Sequence, residues 1–211
     1  MVVVTGLLAL WAVAFDRWMV HVDTALHEGG HALAAYLTGW RVESILIDRD
    51  GGGSTSSYTF SRKGRTSRIA IAAAGYTSPP LAGLAAANLL DTGNVTAVLI
   101  LTVLALGTLL LVVENRFGVF VVLATGGMLY LLGRWGPGWA EVWAAYFLTW
   151  SLLLSGVKSV VILRQARWHG ARGSDADRLA ELTHLPAFLW VLGFAAVSAV
   201  CLVKGAVILV G

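Results

Sequence analysis

Two histidines, a glutamate and two glycines stand together at His27-Glu28-Gly29-Gly30-His31. Residues four apart on an α-helix project from one face, so this HExxH spacing lets both imidazoles reach a single metal ion. The glutamate beside the first histidine is then placed to take a proton from water at that metal. Zinc lowers the pKa of such a water from about 15.7 to roughly 7, which makes hydroxide accessible near neutral pH. The chemistry implied is hydrolysis. A buried polar cluster that only hydrogen-bonds neighbouring helices is the bland alternative. The setting weighs against it, because a glutamate between histidines is costly in hydrocarbon unless it has partners and a purpose.

That setting is membrane. Of the 211 residues, 57% are hydrophobic and only 13% charged, with a mean hydropathy of +0.76, whereas a soluble domain carries about 25% charged residues. Apolar runs fall at about 2–16, 18–38, 67–90, 95–113, 117–133, 138–163 and 185–210, most of them near the roughly 20 residues that cross a bilayer core. The pattern predicts an all-α integral membrane protein of about six or seven transmembrane helices, with 1–211 forming one membrane-embedded domain. The first run is short, its helix covering roughly 22 Å of a core about 30 Å thick. Met1 to Phe15 also has the length of a signal peptide, and Ala12-Val13-Ala14 resembles a cleavage site. No basic residue precedes it, so an uncleaved first span is expected.

The longest polar stretch, 40–66, contains an imperfect alternation over 42–48, a turn at Asp50-Gly51-Gly52-Gly53, and a Thr, Ser and Tyr-rich run from Ser54 to Phe60. This predicts a β-hairpin lying at the membrane surface after the HExxH helix. With seven crossings, loops 39–66, 114–117 and 164–184 share one side. Together with Arg68 they carry eleven of the fifteen Lys and Arg residues, while Arg17 and Arg134 fall opposite. The positive-inside rule makes the basic side cytoplasmic and places the N-terminus there. An even number of crossings would move one end without changing the asymmetry. The net charge of +3 is too small to suggest nucleic acid as a partner. The lone Cys201 excludes an internal disulfide. Pro79-Pro80 is expected to kink or break its helix near Tyr76, Thr77 and Ser78.

The HExxH with Ala32, and Gly39-Trp40-Arg41-Val42 leading into the glycine-rich hairpin, resemble the site-2 protease family of membrane metallopeptidases, most closely its compact bacterial branch. Three later stretches extend the likeness in order: Ala74 to Leu81, Asn115 to Gly118, and Ser174-Asp175-Ala176-Asp177 running on to Thr183 and Pro186. The resemblance implies Zn2+ as cofactor, His27 and His31 as ligands, Glu28 as general base, and a transmembrane segment of another protein as substrate.

A catalytic zinc takes three protein ligands and keeps one open position. In the family the third ligand is commonly an Asp of a later Leu-Asp-Gly motif, where this chain has Ser174-Asp175-Ala176. Asp175 is the best match, with Asp177 two residues on. Asp23, one turn before His27, is a local rival, and His184 a weaker one. Ser174 followed by acidic residues also reads as an ordinary helix N-terminus. Two functions follow: intramembrane zinc proteolysis, or a non-proteolytic membrane protein that binds or transports a cation. Transport needs polar sites repeated on several spans, and most of the other apolar runs lack acidic residues.

Overall fold

The computed structural model describes residues 1–59 and 64–211. The helices are α1 (Val2–Phe15), α2 (Arg17–Leu37), α3 (Arg65–Asp91), α4 (Val95–Leu109), α5 (Arg116–Trp135), α6 (Gly138–Trp168), α7 (Asp175–Thr183) and α8 (Ala187–Val210). Between α2 and α3, β1 (Arg41–Ile47) and β2 (Gly53–Tyr58) form one antiparallel hairpin. Phe60, the end of the expected second strand, lies outside the described residues.

Four helices (α3, α5, α6 and α8) are each long and apolar enough to cross a membrane, and α1 with α2 qualifies as a bent pair. The chain is an integral membrane protein by this pattern, but seven separate crossings are not found among the described residues. Two runs account for the difference. α1 and α2 meet at 89° across Asp16, whose carboxylate accepts from the Trp18 and Met19 amides and so starts a new helix. α4 ends at Leu109 rather than 113, because the chain beyond it pairs with β1: the Ile45 amide donates to the Val112 carbonyl and the Glu114 amide to that of Ile45.

Lipid is as apolar as leucine, so helices in a membrane associate through close packing rather than water exclusion. α3 is the centre of that packing, lying against α2, α6, α7 and α8. Gly156 on α6 lets Pro80 of α3 in so close that an added Cβ would stand 2.9 Å from the ring. α3 is one helix through Pro79 and Pro80, so of the expected kink or break no break occurs. Both prolines are buried, and one turn earlier the Thr77 and Ser78 hydroxyls donate back to the Ala73 and Ala74 carbonyls.

Both strands of the hairpin pack against α2. The hairpin folds back along that helix, with Thr24 donating to the Gly51 carbonyl in the turn at 2.7 Å. Ile45 and Ile47 are completely buried. Asn115, which sequence left without a role, fixes the strand end: its side-chain oxygen accepts from the Ile47 amide at 3.1 Å and its Nδ2 donates to the Ile47 carbonyl at 2.7 Å. This arrangement also moves Arg17. Expected opposite the 39–66 and 114–117 loops, it lines one pocket with Arg49 and Arg116.

Asn115→Ala leaves both Ile47 backbone groups without these partners in a half-buried setting. A loss of about 1–3 kcal/mol is expected, seen as a lower thermal unfolding midpoint in detergent. Asn115→Asp, which keeps the acceptor and loses the donor, should fall between.

Candidate metal centre

α2 carries His27, Glu28 and His31 on its inner face, and Glu28 and His31 are both buried. The His31 Nδ1 lies 2.7 Å from the Ile71 carbonyl of α3. A carbonyl can only accept, so Nδ1 bears the proton and Nε2 is left with its lone pair. That lone pair faces His27 Nε2 at 3.1 Å and Asp175 Oδ2 at 3.1 Å, and His27 Nε2 lies 3.2 Å from the same oxygen. Three donor atoms from residues as much as 148 positions apart therefore converge on one point.

Such convergence fits a cation. Ligand atoms about 2.0–2.1 Å from a tetrahedral zinc stand roughly 3.3 Å from one another, close to the triangle seen here. Two imidazoles and one carboxylate are also a donor set that zinc accepts.

Asp175 reaches the site because of α7, a nine-residue helix that sequence marked only as a possible N-terminus. It is amphipathic and too polar to appear among the apolar runs, yet Ala176 and Leu179 are buried against α3 and α8. The Asp177 side chain accepts from the Ser174 amide and hydroxyl at 3.0 and 2.8 Å, and from Arg167 at 2.5 Å. Burial works against the Asp177 carboxylate, but Arg167 and Ser174 hold its pKa down to about 2. Its stabilising contribution is complete above the ordinary value near 3.8 and is lost as pH falls through about 2. Arg167 is available because α6 continues past 163 to Trp168. Ser174 and Asp177 thus serve the helix start, while Asp175 faces the histidines.

The rivals lie elsewhere. Asp23 Oδ2 accepts from Ser159 of α6 at 3.1 Å, and His184 is the exposed left-handed residue that ends α7. Neither belongs to the cluster of His27, His31 and Asp175.

A cavity of about 890 Å3 opens onto this cluster, bordered by β2 from Gly53 to Ser57, by Tyr76 and by α7. Tyr76 sets its ring edge-on to His27 at 4.6 Å and stacks on Phe194 at 4.9 Å. Two contributors escaped the sequence reading. The Thr55 hydroxyl donates to Glu28 Oε2 at 2.7 Å, and nothing separates this threonine from the serines around it until the hairpin folds back. Gly75 passes so near the histidines that an added Cβ would overlap His31 Nε2 and lie 2.6 Å from His27 Nε2.

Comparison with known proteins agrees with this architecture. The family model described as Peptidase M50B-like matches residues 1–205. The chain belongs to that family, the site-2 proteases. No curated protein and no solved structure matches it. Membership makes this site-2 protease family member a peptidase by descent, and the family is zinc-dependent in general.

About one zinc per chain is expected in elemental analysis of the purified protein. His27→Ala with His31→Ala should abolish it, and Asp175→Ala should release more metal than Asp177→Ala or Asp23→Ala. Gly75→Ala should also expel zinc with every ligand still present. Undiminished zinc in the double histidine variant would reject the site.

Proposed function

We propose that the protein is an intramembrane zinc metalloendopeptidase that cuts transmembrane segments of other membrane proteins, with His27, His31 and Asp175 as ligands and Glu28 as general base. The observation that carries this reading is the convergence of three lone-pair donors beside a buried carboxylate that is not one of them. Zinc held there supplies a Lewis acid that acidifies water and polarises the scissile carbonyl. Glu28 takes the proton from the attacking water and returns it to the departing amine. Thr55 restricts the Glu28 carboxylate to one orientation and leaves Oε1 for that work. His31, locked by Ile71, keeps its Nε2 lone pair on the metal side.

Helical substrates hide their scissile bonds in hydrogen-bonded turns and must unwind before cleavage. β2 supports a way to hold the unwound segment. Only β1 pairs with it among the described residues, and its other edge borders the cavity. An extended peptide added along that edge would be hydrogen-bonded through its backbone beside the metal centre.

Orientation follows from the ends that gather around the site. Trp40 bonds Ser67, Ile45 bonds the segment after α4, Arg167 pairs with Asp177, and Trp190 at the start of α8 bonds Thr183. This is the basic end, and Arg17 now joins it, so by the positive-inside rule it faces the cytoplasm. Counting α1–α2 as one broken span puts the N-terminus on the other side, the reverse of the seven-crossing expectation. Cysteines placed singly at Ser56 and Gly173 in intact cells should resist an impermeant thiol reagent, while one at Val2 should react. Ready labelling of Ser56 and Gly173 positions from outside would invert the assignment.

The mechanism is tested by reconstituting wild type and variants with a panel of single-span substrates, measuring cleavage and bound zinc together. Glu28→Gln should slow turnover about 10²–10⁴-fold with zinc retained. Thr55→Val should slow it less, and Thr55→Ser should restore it. Equal cleavage by wild type and Glu28→Gln would sink the mechanism. Loss of zinc in Glu28→Gln would make Glu28 a ligand and favour a cation-binding protein.

A further inference from the structure

At the N-terminal end of α2, before the turns that carry the metal centre, three arginines from three elements line one pocket of about 520 Å3. Arg17 is the first residue of α2, Arg49 sits in the hairpin turn, and Arg116 is the first residue of α5. His21, Phe117 and Phe120 complete the lining, which contains no carboxylate. The ion pairs among the described residues involve His27, His31 and Arg167, and none of these three arginines.

The gathering is built, not incidental. Asp16 fixes the start of α2 just before Arg17. Asn115, the residue before Arg116, holds Ile47 two positions before Arg49. The turn is seated by Thr24 on Gly51, and Gly51, at φ 95°, abuts Val20. Arg49 lies over the Phe117 ring at 5.7 Å, and the His21 ring meets the same phenyl edge-on at 4.9 Å. His21 Nδ1 is buried with no hydrogen-bond partner. Like charges brought together repel, and guanidinium forks match the oxygens of a phosphate.

We propose that this pocket binds the phosphate of an anionic phospholipid headgroup. The surroundings favour lipid over free phosphate. Phe120 is 57% exposed and packs edge-on to Trp18 at 5.7 Å, giving the cationic pocket an aromatic rim at the start of two apolar helices, as lipid glycerol and acyl chains require. The bound headgroup bridges α2, the hairpin turn and α5. It therefore braces the same hairpin that carries Thr55 to Glu28.

The full chain is purified, reconstituted in nanodiscs of phosphatidylcholine with or without phosphatidylglycerol, and followed by lipid retention in native mass spectrometry and by unfolding midpoint. Wild type should retain phosphatidylglycerol and unfold at higher temperature with it. Arg49→Gln, in an exposed turn, and Arg116→Gln should each lower retention roughly fivefold, and Arg17→Gln/Arg49→Gln/Arg116→Gln should abolish both effects. Arg134→Gln, on the other side, should behave as wild type. Unchanged retention in Arg49→Gln and Arg116→Gln would overturn the proposal. So would inorganic phosphate raising the midpoint in phosphatidylcholine discs as much as phosphatidylglycerol does, which would assign the pocket to free phosphate.

Discussion

Two imidazoles and a carboxylate must meet within about the width of one ion, inside an assembly whose surroundings cannot solvate them. Most of the architecture near the site answers that demand. Several polar groups that are not aimed at the meeting point are tied to protein: His31 Nδ1 to the Ile71 carbonyl, Glu28 Oε2 to Thr55, Ser78 to the Ala74 carbonyl. The close approach of α3 is equally a product of this constraint. Gly30 on α2 and Gly75 on α3 leave no side chain between the helices, and only with both absent can the Ile71 carbonyl come within reach of a ring on α2.

The hairpin shows how a polar segment is made to serve such a site. Its apolar residues on one side, Ile45 and Ile47, are buried, each removal from water being worth roughly 1.5–3 kcal/mol. Its backbone is completed on that flank by the chain after α4 and by Asn115. The other strand, rich in serine and threonine, is thereby turned to the cavity. Burial of a few residues in β1 decides what β2 can present.

Local chemistry was legible in the sequence because it depends on local spacing: residues four apart on a helix, a glycine turn, apolar runs of bilayer length. Asp175 could be proposed only through its place in an ordered series of motifs, since no local rule links it to His27. What escaped had no local signature. Thr55 and Asn115 matter through partners 27 and 68 positions away, and α7 was hidden because a short amphipathic helix reads as loop in an otherwise apolar chain. At Pro79-Pro80 the helix does not break, and both prolines are buried among its neighbours. The count of crossings differs at Asp16, where two apolar runs that read as separate spans form one bent pair.

The third side of the metal triangle comes from α7, a short polar helix held by Arg167, by Ala176 and Leu179 packed against α3 and α8, and by Trp190 on Thr183. An ion shared by α2 and α7 would act as a clasp on the whole chain, fastening position 175 to position 27. Metal supply and tertiary architecture would then be one equilibrium. Without the ion such a protein would lose that fastening along with its reagent, and the segment before α7 would be more open to proteolysis. Turnover of the unloaded protein would be written into the same three side chains that equip the loaded one.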